Sequence, residues 1–352
     1  MFSATAADTA GMRTMTHATL DQLTGAVLGL ALGDALGAGV EAHPPDDARR
    51  YVESVLRPRG RPVRGPGRHS FGQVTDDTQL TRELLLSIAE AGVFDPARFA
   101  ERLLNFVAAG RLIGGGPAAN STARQLALGV PWHEAGMPVP YAGNGAAMRA
   151  GPLGLLYGHD WRLLTRVVSD QSRVTHQDSR CAAGALAIAG GTAIAARGER
   201  IDATGFLVEL SRLVEPIDPA FSTIIWDLTS WAHLPPDEAA GFLQEQGLEP
   251  ENRDGWHGIS SFVTSSVCWS LYAFLQAPES YADAVCVAIG VGGDTDTLAA
   301  MTGSISGGRL GRGGLPEEWY SCLTDSGAWG VADLEALAHR VRLTVERDRT
   351  ER

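Results

Sequence analysis

No lysine occurs in this chain; all 29 of its basic residues are arginine. That absence excludes a Schiff-base lysine, a P-loop lysine and a Ser-Lys dyad, each of which needs the ε-amine. Cysteine is scarce as well. Cys181, Cys268, Cys286 and Cys322 show no metal-ligand spacing and mostly sit in apolar stretches. They read as buried reduced thiols of a cytoplasmic protein. No apolar run reaches the ~20 residues of a membrane span, and the longest small-apolar run, Cys181 to Ala196, reads as a buried helix. Residues 1–17 lack the apolar core of a signal peptide and read as a disordered extension, with Met12 and Met15 leaving open a later start. Positive charge is in deficit: a net charge of −12 argues against a nonspecific binder of nucleic acid or of anionic membrane. It leaves room for an anionic substrate, because bound cations invert the local field. Finally, neither short alternating strands nor a sustained strand–helix alternation appears.

What is present is small and apolar. Hydrophobic residues make up 44% of the chain, with Ala and Gly dominant, which favours close-packed helices. The expected fold class is all-α, a compact orthogonal helical bundle forming one domain over residues 18–340, with a frayed charged tail at 341–352. Helices are expected over Leu20–Val40, from the first acidic cluster to about Ala91, and over Phe99–Ala109, Pro152–Tyr157, Asp160–Ser172, Asp178–Arg197, Ser261–Leu275 and Tyr281–Ile289. Gly25, Gly29, Gly33 and Gly37 recur every fourth residue in the first of these. Each costs roughly 0.5–1 kcal/mol against Ala in a helix interior, so the stripe implies close approach by another helix or by a ligand, with packing the favoured reading. Asp34 lies on this helix and Glu41 just beyond it. A second stripe, Gly303, Gly307 and Gly311, is expected to pack nearby. The Pro/Arg/Gly-rich stretch from His43 to His69 reads as a surface loop. Residues 198–260 are more polar, with Pro216, Pro219, Pro235 and Pro236 breaking helices.

Two short acidic clusters carry the chemistry: Thr75-Asp76-Asp77-Thr78 and Gly292-Gly293-Asp294-Thr295-Asp296-Thr297. Each opens into an apolar helical run, so ordinary helix capping is the plain explanation for either one. Capping needs a single acceptor, however, and each cluster doubles the acid and adds threonines. Four carboxylates brought together repel unless protonated or neutralised by a cation. An oxygen-only ligand set suits Mg²⁺, Mn²⁺ or Ca²⁺ rather than zinc or copper. Two Gly-rich loops, Gly114-Gly115-Gly116-Pro117 and Gly143-Asn144-Gly145-Ala146-Ala147-Met148-Arg149, have backbone N–H groups able to hold a phosphate, although a plain turn explains either as well. Val174-Thr175-His176-Gln177-Asp178 precedes a helix that Asp178 can cap.

Taken in order, Gly33-Asp34-Ala35-Leu36-Gly37 with Glu41, the first acidic cluster, Gly143-Asn144-Gly145 with Met148-Arg149, Thr175-His176 and Gly293-Asp294-Thr295-Asp296-Thr297 resemble the ADP-ribosylglycohydrolase family. That family includes the dinitrogenase reductase-activating glycohydrolases, and the likeness runs over almost the whole chain. The resemblance implies an all-α hydrolase with two divalent cations, Mg²⁺ or Mn²⁺, that removes ADP-ribose from a protein side chain such as arginine or from another acceptor. By that likeness Thr75, Asp76, Asp77, Asp294, Asp296 and Thr297 are metal ligands, Glu41 and Asp77 are catalytic, and Gly114, Gly115, Gly116, Asn144, Gly145, Met148, Arg149 and His176 hold the ADP-ribosyl group. It also implies an ADP-ribosylated protein or small molecule as partner, nucleic acid only as a modified substrate, no membrane, and a monomer. Residues 198–260 match no motif and are left to target specificity. Three rival readings stand beside this one. A class I terpene synthase lacks support because Asp76-Asp77-Thr78-Gln79-Leu80 has no later carboxylate. A metal-dependent phosphohydrolase and a catalytically silent ADP-ribose-binding protein fit the same carboxylates.

Overall fold

The four-residue glycine stripe finds its partner in the helix that follows the second acidic cluster. In the computed structural model, which describes residues 17–58, 70–248 and 255–351, helix Leu20–Gly37 lies antiparallel to helix Thr295–Leu310. A Cβ added at Gly25, Gly29, Gly33 or Gly37 would sit 2.3, 2.3, 2.0 or 2.2 Å from the backbone oxygen of Gly307, Gly303, Ala299 or Thr295 respectively. The contact is reciprocal, since a Cβ at Gly303 or Gly307 would meet the oxygens of Gly29 and Gly25. Backbone therefore packs on backbone along the whole pair, at a range that permits Cα–H···O contacts. Gly311 ends the second stripe outside the helix, still against the first helix: a Cβ at Gly25 would lie 2.6 Å from its carbonyl carbon. It lies beyond the last helical turn with φ +70°, against Asp21.

This pairing places the two helix ends that matter. The C-terminus of the first helix meets the N-terminus of the second, where the Thr295 hydroxyl donates to the Gly37 carbonyl at 2.8 Å. Glu41 thereby arrives beside Asp294 and Asp296. A third helix, Asp76–Ala91, carries the first acidic cluster and ends in a left-handed Gly92 cap.

The fold is all-α: among the described residues the one sheet is the hairpin of Thr324–Asp325 with Trp329–Gly330. A single buried hydrophobic cluster reaches from Ala18 to Val345. No helix among the described residues is long and apolar enough to cross a membrane.

Three expectations need correction. The charged C-terminal segment is not a frayed tail, because helix Val331–Glu351 continues through it and packs on the Asp76 helix. Val341 and Val345 are buried there, an apolar spacing of four hidden among charges. The stretch after His43 is not all loop, since Pro45–Tyr51 is a helix continued by a π-helical turn over Val52–Leu56; residues 59–69 lie outside the described part. Within 198–260, Pro219 and Pro236 open helices rather than break them, taking the first-turn position whose N–H needs no partner. The extension expected over residues 1–17 falls, apart from His17, outside the described residues.

Candidate functional site

The first cluster is organised by a residue from another helix. Thr75 is the N-cap of the Asp76 helix, yet its side chain caps nothing. Instead Asp34, fully buried on helix Leu20–Gly37, accepts from the Thr75 N–H at 3.0 and 2.9 Å and from the Thr78 N–H at 3.1 Å. It also accepts from both threonine hydroxyls, at 2.8 Å from Thr75 and 2.5 Å from Thr78. Asp76 is half-buried and faces a cavity, whereas Asp77 is buried behind it.

The second cluster is clipped between two other backbone segments. The Ala42 N–H donates to the Gly293 carbonyl at 2.8 Å, and the Gly293 N–H donates to the His43 carbonyl at 3.1 Å. On the far side the Asp294 N–H donates to the Ile259 carbonyl at 2.8 Å. Gly292 and Gly293 have φ +73° and +86°, and a Cβ at Gly293 would sit 2.1 Å from the Ile259 oxygen. Only glycine fits that sandwich. Its effect is to gather the carboxylates of Glu41, Asp294 and Asp296 so that one oxygen of each lies within 4.8 Å of the others. Glu41 is exposed while both aspartates are buried. The clusters touch where the Thr297 hydroxyl donates to Asp77 Oδ2 at 3.4 Å, across 220 positions of sequence.

The remaining cavity walls come from the Gly-rich loops. Gly114 and Gly116 line it together with Pro117, Ala118 and Ala119 at the start of helix Pro117–Ala127, whereas Gly115 faces Leu112. Gly114, at φ +77°, passes so close to the cluster that a Cβ would lie 3.3 Å from Asp76 Oδ1. This loop is tied to the Asp76 helix by Gln79, which accepts from the Ile113 N–H at 2.9 Å and donates to the Arg111 carbonyl at 3.1 Å.

Opposite lie Asn144, Gly145, Met148, Arg149 and His176, with Tyr141, Trp256 and Ser261. Asn144 donates to Asp294 Oδ2 at 2.7 Å, so it orients a carboxylate of the second cluster as well as lining the cavity. Arg149 is buried and largely committed. It donates to Gln171 Oε1 at 2.7 Å, to the Gln171 carbonyl at 3.1 Å and to the Thr175 hydroxyl at 2.8 Å. Burial lowers its pKa to about 9. The Thr175 hydroxyl also lies 2.8 Å from His176 Nδ1, the tautomer of the imidazole setting which of the two donates. Burial, then the charge of Arg149, lowers the imidazole to about 3, so His176 is neutral and stacks on Tyr141. Asp178 caps helix Ser179–Ala195 and pairs with Arg180 at 2.8 Å, a structural role.

Charge is the site's dominant property. Burial, reinforced by Asp34, Asp294 and Glu41, raises Asp76 to about 7. Burial first and neighbouring carboxylates second hold Asp77 and Asp296 well above the ordinary range. Asp77 Oδ1 is buried without a hydrogen-bond partner. An orphaned buried carboxylate oxygen among raised carboxylates fits a hard divalent cation held by oxygen ligands. The stability consequence has a definite sign. These aspartates keep their protons to higher pH when folded, so stability falls as pH rises from 3.8 towards about 7 for Asp76. In EDTA the protein should therefore melt progressively lower between about pH 5.5 and about pH 8, and the gain in Tm on adding Mn²⁺ should grow over the same range. An equal Mn²⁺-induced gain at both pH values, read by scanning calorimetry, would remove this coupling.

The family model of ADP-ribosylglycohydrolase matches residues 15–351. The chain belongs to the ADP-ribosylglycohydrolase family. An uncharacterized protein of Archaeoglobus fulgidus is 31% identical over 299 residues, covering 85% of this chain and 90% of that one. The ADP-ribosyl-dinitrogen reductase glycohydrolase of Rhodospirillum rubrum is 27% identical over 317 residues, covering 86% and 90%. A solved ADP-ribosylglycohydrolase-related protein complex superposes with a TM-score of 0.69 at 26% identity, over 93% of this chain and 98% of that chain.

Sequence reasoning missed several residues of this ADP-ribosylglycohydrolase site. Asp34 and Thr78 were visible in the motifs but carried no role; Gln79, Tyr141 and Trp256 gave no signal, being ordinary helix and loop residues by composition.

Proposed function

We propose that this protein hydrolyses the glycosidic bond between ADP-ribose and a modified acceptor, a protein side chain such as arginine or a small molecule. What carries the reading is one juxtaposition: the Glu41, Asp294 and Asp296 carboxylates close one end of a cavity whose other walls are Gly-rich loops. Thr75, Asp76, Asp77, Asp294, Asp296 and Thr297 would hold two divalent cations, Mg²⁺ or Mn²⁺. Bound there, such ions supply Lewis acidity and lower the pKa of water.

The chain's own groups do the rest. N–H groups of the 114–119 segment, Pro117 apart, bind the diphosphate, and the 143–149 loop, whose Asn144, Ala147 and Met148 N–H groups are already engaged, walls the sugar through its remaining groups, so that remote contacts position the reacting carbon. Neutral His176 lines the cavity as a polar contact for substrate, and Gly145 leaves room beside it, since a Cβ there would lie 3.3 Å from the ring. Cleavage at the ribose anomeric carbon passes through an oxocarbenium-like state with water as final acceptor. Glu41, the exposed member of the cluster, takes the proton from water or gives one to the leaving group, according to the linkage. Asp77, buried behind Asp76, serves as a ligand rather than as a group touching substrate.

The test is ADP-ribose release from ADP-ribosylated arginine, serine, DNA and O-acetyl substrates, with Mg²⁺, Mn²⁺ or EDTA. Metal-dependent release from one substrate supports the reading and names the linkage. Binding of ADP-ribose without release from any would replace it with a silent binding protein, and phosphate release from nucleotides with a phosphohydrolase. Glu41→Gln should lower kcat by about 10²–10⁴-fold while Mn²⁺ and ADP-ribose binding persist. A fully active variant would remove Glu41 from the chemistry.

A further inference from the structure

We infer that Asp34 is a positioning residue of the cation site: it caps the Asp76 helix from outside and so keeps the Thr75 hydroxyl oxygen free to act as a ligand. The inference rests on the metal reading proposed above. In an ordinary threonine N-cap the side-chain oxygen accepts from the N–H of the second or third helical residue. Here Thr75 occupies the N-cap position without making that bond. The N–H in question, that of Thr78, goes to Asp34 Oδ2. Thr75 gives its own hydroxyl hydrogen to Asp34 Oδ1. No donor among the described residues reaches Thr75 Oγ1, so its lone pairs stay available.

The identity of the capping group matters. A further carboxylate beside Asp76 and Asp77 is electrostatically costly, and Asn or Ser would cap without that cost. An ionised carboxylate, however, only accepts, and so dictates the direction of both hydroxyl hydrogens. An amide would present an N–H to one of these threonines and occupy the lone pair that a cation needs. Asp34 has no solvent exposure and is absent from the cavity wall. Any effect it has on the site is exerted through its partners, chiefly Thr75.

The experiment is calorimetric titration of Mn²⁺ into EDTA-stripped protein, for wild type, Asp34→Asn, Thr75→Val, the double variant and Thr78→Val, with melting curves in EDTA. Asp34→Asn should weaken Mn²⁺ binding by about tenfold or more, the scale typical of groups that orient metal ligands. The double variant should bind within about threefold of Thr75→Val alone, because both substitutions act on one oxygen. Thr78→Val, which removes the Thr78 hydroxyl donor from the same carboxylate but keeps the Thr78 N–H, should weaken binding by a smaller factor. Native affinity in Asp34→Asn, or losses that simply multiply in the double variant, would overturn the inference. Should Asp34→Asn not fold, native affinity in a natively melting Thr78→Val would overturn it equally. Wild-type protein that binds no Mn²⁺ would instead overturn the metal reading itself.

Discussion

Asp296→Asn is expected to lose divalent-cation binding and to reduce turnover by about 10³-fold or more, the scale of several kcal/mol of lost charge stabilisation. In EDTA the same variant should melt no lower than wild type. Asp296 is buried among Asp294, Glu41, Asp77 and Asp34, and each of those charges raises its proton affinity. The amide cannot ionise, so it adds no like charge at any pH, and it keeps an oxygen for the Thr297 N–H, which Asp296 accepts at 2.9 Å. The two readouts therefore move in opposite senses: affinity for Mn²⁺ collapses while the metal-free fold holds or gains. A destabilised variant with native Mn²⁺ affinity would mean that Asp296 serves packing and not the cation. Titration calorimetry and melting in EDTA distinguish the two directly.

Gly33→Ala should be strongly destabilising for a single added methyl. Its Cβ would lie 2.0 Å from the Ala299 oxygen and 2.4 Å from the Ala299 carbonyl carbon, both backbone atoms. Neither helix can step back freely, since the Thr295 hydroxyl holds Gly37 and the Tyr281 hydroxyl holds the Gly29 carbonyl at 2.6 Å. Overpacking of this kind costs about 3 kcal/mol or more when backbone must move, enough to lower Tm by at least about 5 °C. Gly241→Ala is the matched control. Gly241 sits within helix Pro236–Leu243 with open space where its Cβ would be, so the same change should stabilise by about 0.5–1 kcal/mol through helix propensity. Equal melting temperatures for the two variants would refute the close approach.

Both acidic clusters and the first glycine stripe were legible in the sequence because each repeats a costly residue type where a single copy would serve a cap or a turn. The partner of that stripe was legible in Gly303 and Gly307, but the pairings to Ala299 and Thr295 were not, because those residues carry small side chains without advertising a contact. Asp34 escaped for a different reason. Its four donors lie 41 and 44 positions away, and no local pattern encodes a cap supplied by another helix. Gln79 was likewise mute: its bonds to the 111–113 backbone are tertiary. At the C-terminus the surrounding charges concealed Val341 and Val345, whose burial depends on the Asp76 helix being present.

The antiparallel helix pair sets the spacing of the candidate site in whole steps. Its contacts join 25 with 307, 29 with 303, 33 with 299 and 37 with 295, so each notch on one helix faces a notch one turn along on the other. A slide of less than four residues drives side chains into backbone; the next permitted register lies about 6 Å away at ~1.5 Å per residue. That step exceeds the 4.8 Å within which Glu41, Asp294 and Asp296 now gather. Their grouping is therefore either kept or lost outright, with no graded loosening between, and a length change in either helix is tolerated only in multiples of four residues.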